Sequence, residues 1–215
     1  MKKVICFDIE TIAEKSMIPF LPEPEANKTL KDPVKITADI TEKKKKQIEE
    51  MGLNPMTSMI CCIGWMTDAG PGHIMLAGES PEQEKDLLLA WWEAAKDYDH
   101  FVTFNGRSFD LRHILLHGMA YGVRPSVNID KGRYNRGNHV DMRLVLSGED
   151  KFASGTLDFY ARKFLGQGKP EGMEGSKVAE YWEMGLYEDI GKYCESDCEN
   201  AYRLYLMAET AGLLE

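Results

Sequence analysis

Long apolar runs are absent from this 215-residue chain. The longest fall far short of the ~20 residues that a membrane-spanning helix needs. Basic charge is also scarce: 26 Lys and Arg stand against 35 Asp and Glu, a formal net charge of −9. That balance counts against a protein that holds nucleic acid by bulk electrostatics. It leaves room for one that grips a few nucleotides locally, and bound cations would neutralise part of an acidic site. Paired CxxC spacing is missing too. The five cysteines, Cys6, Cys61, Cys62, Cys194 and Cys198, are odd in number. The apolar stretch after the first lysines is interrupted by Asp8 and Glu10 too early for a secretion signal. These features lead us to expect small, buried, free thiols in a reducing cytoplasm. With no internal repeat and 43% hydrophobic residues, the chain is expected to form one domain over residues 1–215, around a sizeable core.

Hydrophobic patterning gives the order of elements. Residues 3–9 read as a buried strand. Residues 13–57 hold five of the nine prolines and a lysine run at 43–46, and read as an insertion. Within it, a surface helix is expected over 41–51, with Thr41 as its N-cap and Gly52 as its stop. Residues 59–66 and 73–77 form a hairpin across a turn at 68–72. Ser80, Pro81 and Gln83 make a capping box that opens a helix to about residue 96, with Leu87, Leu88, Trp91, Trp92 and Ala95 inward. A strand at 100–104 precedes a helix at 108–119, whose apolar face carries Leu111, Ile114, Leu115 and Met119. After a basic loop at 131–139, helices are expected at 141–146 and 156–165, then a flexible connection at 166–175. A long final helix at 186–211 turns Leu186, Ile190, Tyr193, Cys194, Asp197, Ala201, Leu204, Tyr205 and Ala208 inward. The order predicts an α/β fold with a mixed sheet flanked by helices.

Four carboxylates carry the chemistry. Asp8 and Glu10 lie two apart at a strand end and so share one face. Asp110 enters at a helix start that follows a strand. Asp197 sits on the buried stripe of the last helix, one turn after Tyr193. Each lies in or beside an apolar segment, where an unpaired charge is costly. Oxygen donors from separate segments suit Mg²⁺ or Mn²⁺. Two such ions about 3.5–4 Å apart could clamp the attacking and leaving oxygens of a phosphodiester.

In this order FDIET, NGRSFD and YCESD resemble the three motifs of the DEDD 3′–5′ exonucleases. The tyrosine four positions before the last aspartate resembles the DEDDy branch, that of the proofreading domains of family B DNA polymerases. The DEDDh branch would need a histidine where this chain has Lys192. The nearest match is a stand-alone exonuclease family similar to those domains, and the stretch SGTLDFYARKFLGQGKPEG resembles their segment between the second and third motifs. The resemblance implies a ribonuclease H-like fold and two divalent metals, Mg²⁺ or Mn²⁺. It also implies release of nucleoside 5′-monophosphates from a 3′ end. Carried over by position, Asp8, Glu10 and Asp197 would hold one metal, Asp8 and Asp110 the second, and Tyr193 would orient the attacking water. Asn105 would contact the substrate backbone, Phe104 would shape the terminal-nucleotide pocket, and Thr11 and Ile12 would line it.

The residues leave several alternatives open. Asn105-Gly106 also reads as a simple turn and Phe104 as core. Lys131, Arg133, Tyr134, Arg136 and His139 would grip a phosphate backbone or form a solvated loop, so Arg133 and Arg136 are candidate substrate contacts. Lys43 to Lys46 read as a solvated helix face, and Asp141 as an N-cap. His113 and His117 have metal spacing but no third ligand nearby, which favours packing and surface roles. Two other readings of function stand beside a DNA exonuclease: an RNA-directed exonuclease of the same fold, and a non-catalytic nucleic-acid binding module. A polymerase or repair partner acting in trans is compatible with all of this, and no membrane partner is expected.

Overall fold

The computed structural model describes residues 2–132, 137–150, 155–168 and 174–214. In chain order its elements are β1 (Val4–Ala13), α1 (Pro33–Glu49), β2 (Ser58–Thr67), β3 (Gly70–Met75), α2 (Pro81–Ala95), β4 (His100–Thr103), α3 (Asp110–Tyr121), β5 (His139–Asp141), α4 (Met142–Leu146), α5 (Leu157–Leu165), α6 (Val178–Glu183) and α7 (Tyr187–Thr210). Short 3-10 turns flank α1 and precede α6.

The strands lie in the order β3-β2-β1-β4-β5. β1 pairs antiparallel with β2 and parallel with β4; β2–β3 is an antiparallel hairpin, and β4–β5 is parallel. This is a mixed ribonuclease H-like sheet with β1 at its centre. Alternation along β1 divides the core. Ile5, Phe7 and Ile9 join Leu88, Trp91, Leu111 and Ile114 on the α2–α3 side. Cys6 joins Val102, Leu157, Ala201, Leu204 and Tyr205 on the α5–α7 side. All five cysteines are buried and free. No helix among the described residues is long and apolar enough to cross a membrane.

Ser80 caps α2 through the Gln83 amide, and all five residues assigned to its inward face are buried. Several boundaries differ from expectation. β1 continues past residue 9 to Ala13. The insertion helix starts eight residues before Thr41: Asp32 caps it by accepting from the Val34 amide at 2.9 Å, with Pro33 in the first turn. Thr41 instead donates to the Thr37 carbonyl inside the helix. α1 buries no residue, so it offers no apolar stripe to read. The lysine run forms pairs: Lys43 with Asp39, Lys44 with Glu23, Lys45 with Glu49 and Lys46 with Glu50. β5 lies where a loop was expected, and α6 where no element was assigned. Met119 and Leu186 point outward, 75% and 38% exposed.

The return of the insertion is tied down by a buried network. Glu84, fully buried on α2, accepts from the Ile60 amide (2.7 Å) and the Tyr121 hydroxyl (2.7 Å), and meets His117 Nδ1 at 2.5 Å. The other ring nitrogen of His117 donates to the Pro55 carbonyl at 2.8 Å. His113 Nδ1 donates to the Phe109 carbonyl. Both histidines therefore serve packing, and both are buried rather than on the surface.

Candidate active site

The centre of β1 carries Asp8 and Glu10. Just after Glu10 the pairing with β2 slips: Glu10 faces Cys62, while Thr11 faces Ile60. Cys61 is the extra residue of this bulge, a device that re-aims side chains where a strand meets a site. Gly64 lies directly opposite Asp8 in the ladder. A Cβ there would stand 2.8 Å from Cys194 Sγ and 3.2 Å from the Cys194 carbonyl carbon. Glycine at this position is what lets α7 rest on the sheet beside Asp8. The Cys194 thiol in turn reaches the Asp8 carbonyl at 3.4 Å.

Asp110 opens α3 but does not cap it. Its Oδ1 accepts from the Ile9 amide at 2.9 Å, between Asp8 and Glu10, and the side chain is 2% exposed. This bond places the carboxylate beside β1. α7 then delivers Tyr193 and Asp197, both buried and one turn apart. The charge of Asp197 bears on the Tyr193 hydroxyl.

The electrostatics follow from this crowding. Burial, then the charge of Asp110, then Cys194, Glu10 and Asp197, push Asp8 well above the ordinary carboxylate range. Burial raises Asp110 to about 7, against a counteracting hydrogen bond with Asp8. Burial and the charges of Asp197, Glu10 and Asp8 push the Tyr193 hydroxyl upward. The other three acids, from β1, α3 and α7, thus all bear on Asp8. Anionic oxygens forced together in this way are the donor set that a hard divalent cation would relieve. Ligand atoms of Asp8, Glu10 and Cys194 lie within 4.8 Å of one another. In the sequence alone, Cys194 is only a small core residue. Its place beside the acids depends on how α7 seats on β2, which spacing within the chain does not reveal.

The other candidates are placed as follows. Asn105 has a left-handed backbone (φ 69°). Its amide donates to Asp141 Oδ1 at 2.8 Å, and its side-chain oxygen accepts from Arg143 Nη1 at 2.8 Å. Asp141 does cap α4, accepting from the Arg143 amide. It also accepts from the Arg107 amide, so it staples the loop before Asp110, a function that its reading as a cap left out. Gly106 makes that loop possible, because a Cβ would stand 2.5 Å from Thr103 Cβ. Phe104 is partly buried against the α5–α7 core, its ring 6.0 Å from that of Tyr160. Thr11 donates its hydroxyl to the Gly52 carbonyl (2.7 Å), and Ile12 is buried in the core. Both therefore have structural work independent of any pocket. His139 lies on β5, bonded to Thr103 and the Asp130 carbonyl, so it is core and not part of a basic surface loop. Arg133, Tyr134 and Arg136 fall outside the described residues.

Comparison with known proteins bears on the fold and the family. The fold resembles the structure of the family B DNA polymerase from the hyperthermophilic archaeon Pyrobaculum calidifontis, with a TM-score of 0.67 and 17% identity, over 97% of this chain and 24% of that one. In sequence, the chain is 28% identical over 119 residues to DNA polymerase 1 of Saccharolobus solfataricus, covering 47% of this chain and 14% of the relative. It is also 28% identical over 101 residues to DNA polymerase 1 of Sulfolobus acidocaldarius, covering 41% and 12%. The chain thus corresponds to only a small part of these polymerases. One family matches residues 54–213, which hold Asp110, Tyr193 and Asp197; Asp8 and Glu10 precede the match, across the insertion. That stretch is most of the chain, and with the polymerase-like fold it identifies the protein as a member of the family of predicted 3′–5′ exonucleases related to the exonuclease domain of PolB.

Proposed function

We propose that this protein is a metal-dependent 3′–5′ exonuclease of the DEDDy type. It would remove nucleoside 5′-monophosphates from the 3′ end of single-stranded DNA. The observation that supports the reading is the seat of Asp110 on the Ile9 amide, which brings the α3 carboxylate against β1 beside Asp8.

Asp8, Glu10 and Asp197 would hold one Mg²⁺ or Mn²⁺, and Asp8 with Asp110 a second. Bound there, the cations supply Lewis acidity to the phosphoryl oxygens and lower the cost of deprotonating water. Tyr193 keeps its proton at neutral pH, because its hydroxyl is pushed upward by burial and by surrounding acids. It is therefore a poor base. Still protonated, its oxygen has lone pairs to accept from the attacking water and aim it. Asp141 holds the Asn105–Asp110 loop in place, so that Asp110 meets β1 at a fixed angle. The chain would act in the cytoplasm, alone or beside a polymerase or repair partner in trans.

The test is digestion of 3′-labelled oligonucleotides in Mn²⁺. Mononucleotide release should be blocked by a 3′ cap and by Asp8→Ala. Intact label with the wild-type protein would overturn the proposal.

A further inference from the structure

Cys194 brings a sulfur donor to a place otherwise lined with oxygen. Its thiol is aimed at Asp8: it donates to the backbone carbonyl at 3.4 Å and lies 3.9 Å from the carboxylate Oδ2. Room for the sulfur comes from Gly64, the ladder partner of Asp8, whose missing Cβ would stand 2.8 Å from Cys194 Sγ. Glu10 follows two positions along β1. One ligand atom from each of Asp8, Glu10 and Cys194 falls within 4.8 Å of the other two. Glu10 and Cys194 are buried, and Asp8 is half-buried, so the group is reached from solvent on the Asp8 side.

Donors from β1 and α7 thus converge, and their chemistry is mixed. Mg²⁺ and Mn²⁺ take oxygen ligands and have no use for the sulfur, whereas Zn²⁺ binds thiolate and carboxylate together. The spacing fits the softer ion. Zinc bonds of about 2.3 Å to sulfur and about 2.0 Å to oxygen, at a tetrahedral angle, set the two donors about 3.5 Å apart. The observed 3.9 Å between Cys194 Sγ and Asp8 Oδ2 is wider by about 0.4 Å, which a small turn of the carboxylate closes. On binding, the thiol proton leaves for solvent and the thiolate stays on the metal.

We propose that Asp8, Glu10 and Cys194 form a site for a thiophilic divalent cation, Zn²⁺, whose binding excludes the hard ions of the exonuclease reading and so holds the protein inactive. The site itself stands on the geometry; the exclusion rests on that reading, because both kinds of ion need Asp8 and Glu10. Full-length, reduced, metal-free protein is titrated with Cd²⁺, the spectroscopic stand-in for zinc, and the ultraviolet charge-transfer band from thiolate to cadmium is followed. The wild type should show a saturable band that Zn²⁺ abolishes. Cys194→Ser keeps the size of the side chain and a donor for the Asp8 carbonyl. It should remove the band and weaken Cd²⁺ binding by at least about tenfold. Asp8→Asn and Glu10→Gln should each weaken Cd²⁺ binding as well. Mn²⁺ affinity, read from the electron paramagnetic resonance of the free ion, should be the same in wild type and Cys194→Ser, and Cd²⁺ should expel Mn²⁺ from the wild type. A band that persists in Cys194→Ser would put the cadmium on other thiols and overturn the proposal. Equal losses of Cd²⁺ and Mn²⁺ affinity in that variant would overturn it too, since the serine would then act only by displacing α7. So would Mn²⁺ that stays bound in saturating Cd²⁺, or Cd²⁺ binding unchanged in Asp8→Asn. Failure of the exonuclease reading is seen separately, as absence of mononucleotide release by the wild-type protein in Mn²⁺ alone.

Discussion

Gly64 and Cys194 are in contact across the interface between β2 and α7, and the missing Cβ of the glycine is the space that the sulfur fills. Asp8 is the ladder partner of that same glycine. The position of α7, and with it Tyr193 and Asp197, is therefore set at the residue facing Asp8. Gly64→Ala should push the helix away, because both the sulfur and the backbone of Cys194 stand in the way. We expect a stability loss of about 1–3 kcal/mol in urea unfolding and a fall in exonuclease rate of more than about tenfold. Normal turnover in a folded Gly64→Ala protein would show that α7 is not held there.

Asp110 stores a pH-dependent cost. Its folded pKa of about 7 lies above the ordinary value of 3.8, so the folded state binds this proton more tightly. The resulting stabilisation is complete below about pH 4 and is lost as pH rises through 7. At pH 8 the metal-free protein should gain about 1–3 kcal/mol from Asp110→Asn, since the amide oxygen still accepts from Ile9. The same change should abolish cleavage. Mn²⁺ should stabilise the wild-type protein at pH 8, by about 2.7 kcal/mol at a hundred times its dissociation constant. It should stabilise the Asn variant far less. Thermal melts with and without Mn²⁺ check both.

Tyr193 separates orientation from base catalysis. Tyr193→Phe removes the hydroxyl but keeps the ring in the core. The rate should fall by roughly 10- to 100-fold, the scale of one lost positioning hydrogen bond in a water-excluded site. The alkaline limb of the pH–rate profile should stay where it is. A limb that disappears in the Phe variant would make the tyrosine the base.

His139 should act in the opposite pH direction to Asp110. Burial pushes its pKa from 6.5 to about 4, so the unfolded chain takes up a proton that the folded chain refuses. The stability that this histidine contributes is present above pH 6.5 and is lost as pH falls towards 4. The loss should be on the order of 2–3 kcal/mol. His139→Asn should flatten that part of the stability curve. The difference between wild type and variant isolates the effect from the carboxylates that titrate in the same range.

The sheet and the acids were readable because they sit in strong apolar patterns. β2 and α2 announce themselves through continuous or 3.6-spaced hydrophobics and a complete capping box. Asp8, Glu10, Asp110 and Asp197 each interrupt such a pattern, and Tyr193 stands one turn from the last. What stayed hidden has equally physical causes. β5 is only three residues long and ends on Asp141, whose reading as a helix cap was right but incomplete. α1 buries nothing, so no periodicity marks its start. α6 buries only Val178 and Trp182. The closeness of Cys194 to Asp8, and the bond between Asn105 and Arg143, arise from contacts between segments far apart in the chain.

The buried clasp of Glu84 and His117 has a practical corollary. It fastens Pro55 and Ile60 from within, while Thr11 holds Gly52, so the central ladder keeps its register whatever the preceding excursion does. α1 then becomes a handle: a dye, an affinity tag or a fused module grafted onto its outer surface would ride on the molecule without disturbing the chemistry at its heart.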